Sequence, residues 1–148
     1  MRSISRSTAT IAVVVAGLLT QGGATAAAEP ADVPTAPVVT QVTERPESDG
    51  ATPFTDNPSI VDSRLQAMDS WSRPPDDRAI AVHFTSGTPE CYGVHAEVQE
   101  TADIVAVKLR AGVLPGAGQR VCTMIAVPGT LTVGLQTPLA NRAVVSIT

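Results

Sequence analysis

The sequence predicts an all-β fold, a small antiparallel sandwich or barrel of about six to seven short strands. Three features predict it. Beyond residue 78, apolar and polar residues alternate in runs recurring about every ten residues. Between the runs stand turn-forming clusters such as Pro74-Pro75-Asp76-Asp77, Ser86-Gly87-Thr88-Pro89 and Pro128-Gly129. No stretch there sustains the 3.6-residue apolar period of a helix.

Two segments precede that domain. Arg2 and Arg6 form a positive start, Ala9 to Leu19 is apolar, and Ala24-Thr25-Ala26-Ala27-Ala28 supplies small residues. These are the parts of a secretory signal, residues 1–28, with cleavage expected between Ala28 and Glu29. At about 1.5 Å per residue the apolar run covers only half of a bilayer core of about 30 Å, so no integral span is expected after cleavage. Residues 29–58 hold six of the chain's twelve prolines, with acids between them. That composition predicts an extended, solvated, disordered linker. The β domain is then expected over 59–148.

Asn57-Pro58 fits either the cap of a short helix carrying Val61, Leu65 and Met68, or an extended arm ending at Trp71. Ala79–Thr85 should place Ile80, Val82 and Phe84 on one face. Val94–Glu100 should bury Val94, Ala96 and Val98, and Ile104–Arg110 should bury Val105, Val107 and Leu109. Val121–Val127 is nearly continuous in apolar residues and predicts a central strand. Thr130–Leu135 and Ala143–Ile147 complete the set. Few aromatics follow the signal (Phe54, Trp71, Phe84 and Tyr92), so the core should be mainly aliphatic.

Loss of the signal removes two arginines and no acids, taking the formal charge from −4 to −6. The surplus acid lies in residues 29–63, and residues 64–148 are balanced. A neutral domain without a basic block lacks the phosphate-neutralising charge from which nucleic-acid affinity comes. It equally lacks a basic patch for anionic lipid. Cys91 and Cys122 are the only cysteines. In an oxidising compartment such a pair is expected to close on itself rather than remain as free thiols or bridge two chains. A redox-active pair calls for closely spaced, activated thiols, and there is no C-x-x-C.

No catalytic constellation emerges. His83 and His95, with Glu97 nearby, are too few for zinc and read as exposed residues of a sheet. There is no G-x-S-x-G, and the serines lie in linker and turn sequence. Asp76-Asp77, Glu97, Glu100 and Asp103 read as solvated edge charges rather than a glycosidase pair. Gly112 to Gly118 lacks the Lys-Ser/Thr of a phosphate loop. No cofactor or metal is expected.

Glu90-Cys91-Tyr92-Gly93-Val94, Glu100-Thr101-Ala102-Asp103, Val121-Cys122, Ile125-Ala126-Val127, Leu131-Thr132-Val133, Pro138-Leu139 and Arg142-Ala143-Val144-Val145 resemble a group of small exported actinobacterial proteins and lipoproteins of unknown activity. The resemblance covers about residues 69–148. It implies a β domain, a Cys91–Cys122 bridge and an envelope location, although the lipid-attachment cysteine common in that group is missing here. A second, local likeness is to the subtilisin inhibitors secreted by the same bacteria. Cys122-Thr123-Met124-Ile125, Pro128 and Leu131-Thr132-Val133 resemble their reactive loop and following strand, which implies Met124-Ile125 as the resisted bond. Those inhibitors carry two disulfides, and here 121–127 reads as a buried strand.

The sequence thus leads to the expectation of an exported, non-enzymatic binding or structural module. Its partner would be an envelope or extracellular protein or glycan, and the alternative is a protease inhibitor.

Overall fold

A computed structural model describes residues 36–46 and 50–148. The signal segment, with Ala28 and Glu29, lies outside the described residues, as do linker residues 29–35 and 47–49. The described chain forms nine strands and one short 3-10 turn at Ala117–Gln119. The strands are β1 (Val39–Gln41), β2 (Thr52–Phe54), β3 (Val61–Leu65), β4 (Ser70–Ser72), β5 (Ala79–Ser86), β6 (Tyr92–Glu100), β7 (Ile104–Val113), β8 (Val127–Gly134) and β9 (Ala143–Ile147). Among the described residues, no helix is long and apolar enough to cross a membrane.

The all-β class holds, with more strands than expected and two parallel pairings, β2 with β8 and β7 with β9. One sheet follows the order β1-β9-β7-β3, with β6 paired along β7, and the other follows β2-β8-β5-β4. Alternation places the core as expected: Ile80, Val82, Phe84, Val94, Val105, Val107 and Leu109 are essentially inaccessible to solvent. Ala96 and Val98 are only partly buried against this cluster, because β6 is an edge strand.

Residues 36–46 and 50–58 correct the linker reading. β1 pairs with β9 through Val39–Ile147 and Gln41–Val145, and β2 pairs with β8 through Phe54–Leu131. Val42 and Phe54 belong to the core. The Trp71 indole donates to the Val42 carbonyl at 3.0 Å, and Phe54 meets Phe84 edge-on with centroids 5.3 Å apart. Pro53 stands within β2, an edge strand, where a missing donor costs little, and Pro37, Pro46 and Pro58 lie outside the strands.

At Asn57-Pro58 the extended alternative is realised. Asn57 Oδ1 accepts the Ser59 amide at 2.9 Å in a local turn, and β3 follows. Asp62 takes a positive φ of 50° where the β3–β7 register shifts, as a bulge requires.

Asp56 ties the sheets together. It bridges to Val94 of β6, and its carboxylate accepts the Ala96 amide at 2.8 Å while also meeting His95 Nδ1 at 3.1 Å. The chain from β2 to Asn57 therefore closes part of the side of the sandwich.

Candidate functional site

The connection from β7 to β8 is the feature that departs most from the core pattern. Val113 ends β7 opposite both Val61 and Tyr92, and the Leu114 amide then donates to the Cys91 carbonyl at 2.8 Å. Gly116 turns the chain with φ of 80°, a conformation that favours glycine. The 3-10 turn closes with Arg120 donating to the Ala117 carbonyl at 2.9 Å. Arg120 is already extended, with φ of −119° and ψ of 157°.

Val121 to Ala126 lies outside every strand. This corrects the expected central strand over 121–127, since only Val127 belongs to one. Val121 is 99%, Met124 94% and Ile125 60% exposed. Cys122 is joined to Cys91, with Cα atoms 5.9 Å apart, and Cys91 itself is buried at the start of β6. On the other side the chain enters β8 at Val127, opposite Ser86. The apolar residues of the segment are therefore held in solvent between two fixed points. Fixing both ends reduces the conformational entropy lost on docking. From Leu114 to Pro128 the only charged residue is Arg120, so the chemistry on offer is apolar contact and backbone hydrogen bonding.

A second feature is the outer face of the β2-β8-β5-β4 sheet. His83 and His95, expected as exposed sheet residues, lie on strands of different sheets. His83 is buried, with Nε2 2.9 Å from Ser72 Oγ. Its cross-strand neighbour is Thr130. His83 Nδ1 and Thr130 Oγ1 are buried without a hydrogen-bond partner among the described residues. Ser72, Ala81, Thr130 and Thr132 form the floor of an adjoining cleft of about 590 Å³, walled by Arg45, Pro46, Pro53 and Arg73.

A serine nucleophile needs a base oriented through its second ring nitrogen and an accessible oxygen. Among the described residues that nitrogen has no partner, and Ser72 is only 9% exposed. At the rim of the cleft, Arg73 pairs with Glu44 at 3.0 Å and lies 5.3 Å from the Trp71 ring centroid.

The remaining candidates separate by environment. Glu97 stays at the surface, where the Arg110 guanidinium at 3.0 Å lowers its pKa, with a further contribution from Lys108. Glu100 is not the solvated edge charge expected. It is largely buried against Arg142. Asp76 serves the turn before β5, its carboxylate accepting the Arg78 amide at 2.9 Å. Among the described residues, no group of three or more His, Cys, Asp or Glu is placed to hold a metal.

Met124 and Ile125, singled out through the inhibitor likeness, lie together on the exposed segment. Val121 joins them there, although the sequence reading assigned it to the core. The glycines and proline of residues 114–119, just past the end of β7, are the one sequence signal that a loop adjoins this segment. Comparison with protein-family models, curated proteins and solved structures finds no match to the chain.

Proposed function

We propose that the chain is an exported, non-enzymatic binding module that engages an envelope or extracellular protein or glycan through residues 120–126. The observation that carries this reading is the exposure of Val121, Met124 and Ile125 on a segment anchored by Cys122. Leaving apolar side chains of this size in water is unfavourable by roughly 1.5–3 kcal/mol each relative to burial, and a docking partner recovers that term. The disulfide supports extracytoplasmic residence, since such bonds persist in oxidising compartments. The signal-like residues 1–28 support export by the same route.

The test uses residues 29–148 as bait against envelope and culture fractions. It compares the native protein with a variant carrying Val121→Ser, Met124→Ser and Ile125→Ser. A partner held by the native bait and lost by the variant, at unchanged melting temperature, is expected. Identical captured sets, or a specific hydrolytic activity in the pure protein, would overturn the reading.

A protease-inhibitor reading gains from one observation: Met124-Ile125 is exposed two residues beyond an anchored half-cystine. A scissile bond held close on both sides keeps its ends together after cleavage, which favours resealing. Titrating subtilisin with an equimolar amount of the protein decides this. The inhibitor reading expects activity to fall to a residual level, and undiminished activity rules it out.

A further inference from the structure

Of the methionines in residues 29–148, Met68 and Met124, the first is 8% exposed and packed in the core, whereas the second is 94% exposed. Met124 stands among the apolar side chains of the loop, two residues from Cys122, and the Cys91–Cys122 bond marks the chain as suited to an oxidising compartment. Resting on the reading of residues 120–126 as the docking segment, we propose that Met124 is a peroxide-sensitive modification site that switches docking off. The thioether sulfur attacks one oxygen of a hydroperoxide. An S–O bond forms, the O–O bond breaks, and the departing oxygen leaves as water or an alcohol after taking up the proton. Sulfur loses two electrons and the peroxide gains them.

The product is a polar, chiral sulfoxide where an apolar, flexible side chain stood, and it is reversible by methionine sulfoxide reductases. Burying it against an apolar surface leaves its oxygen without the water it had bonded, so docking weakens. Met68 stays protected because no oxidant reaches it without local opening.

The experiment treats only the bait, residues 29–148, with limiting hydrogen peroxide, removes the oxidant, and maps added oxygen by peptide mass spectrometry. Oxygen should appear on Met124 while Met68 remains unmodified. The oxidised bait should lose the loop-dependent partner, and treatment with methionine sulfoxide reductase should restore it. A Met68→Leu bait should respond to peroxide as the native one does, which assigns the response to Met124. Equal oxidation of both methionines, retention of the partner by the oxidised bait, or an unresponsive Met68→Leu bait would overturn the switch. If untreated bait holds no loop-dependent partner, the docking reading itself falls and takes the switch with it. That outcome differs visibly from a partner held equally before and after oxidation.

Discussion

The carboxylate of Glu100 gathers four hydrogen bonds: from the Gln136 amide at 2.7 Å, the Thr137 amide at 3.4 Å, the Thr137 hydroxyl at 3.1 Å and Arg142 at 2.7 Å. Arg142 in turn donates to the carbonyls of Thr137, Pro138 and Leu139. This pair pins the end of β6 to the turn before β9. Arg142, followed by the backbone donor at Gln136, holds the Glu100 carboxyl at about 2 against an ordinary value of 4.5. A depressed carboxyl contributes stability that is present above pH 4.5 and is lost as pH falls through about 2. Melting temperatures across that window should therefore fall more steeply for the native protein than for Glu100→Gln. At neutral pH the variant leaves Arg142 buried without its counter-charge and should lose about 3–5 kcal/mol in denaturant unfolding.

Gly129 offers a packing test at the same scale. A Cβ there would stand 2.6 Å from Phe84 Cε2 and 2.9 Å from Phe54 Cε2, so Gly129→Ala should cost about 1–3 kcal/mol by overpacking. Alternation made Val105, Val107 and Leu109 legible as core residues, although Ala106 on the opposite face of β7 is buried too. It misplaced His83, because the outer face of β5 is covered as well: all six residues from Ala79 to Phe84 are buried. Period-2 reasoning assumes one wet face.

Among the elements, the β7–β8 connection decides the functional reading. Residues 121–127 gave no alternation, and a short apolar run alone cannot distinguish a buried strand from a tethered loop. What excludes the strand is the register. β8 pairs with β5 from Gly134–Ala79 to Val127–Ser86, and residues before Val127 would face the turn at Gly87 rather than a strand. The bond from Cys122 to Cys91 then draws the segment to the start of β6. Replacing both cysteines with serine should cost roughly 3–4 kcal/mol, given a separation of 31 residues. It should also speed limited proteolysis within 120–126, measured against cleavage elsewhere in the chain.

Across the whole molecule, the two sheets depend on chain that composition alone assigns to a linker. Six prolines obscured β1 and β2, since isolated three-residue strands carry too little pattern to read. Their value lies in distant partners: β9 for β1, β8 for β2, Trp71 for Val42 and Phe84 for Phe54. A chain beginning at residue 59 should therefore lack cooperative unfolding and dispersed amide signals, whereas one beginning at residue 29 should show both. Equal dispersion for the two would return residues 36–58 to the status of a spacer.

Residues 121–126 form an apolar segment that stays out of the core, and residue-resolved amide hydrogen exchange tests this most directly. Thr123, Met124 and Ile125 should exchange with little protection, while Ile80, Val82, Val105 and Val107 exchange only on global opening. Protection of residues 123–125 equal to that of β5 would make them a buried strand and remove the docking surface.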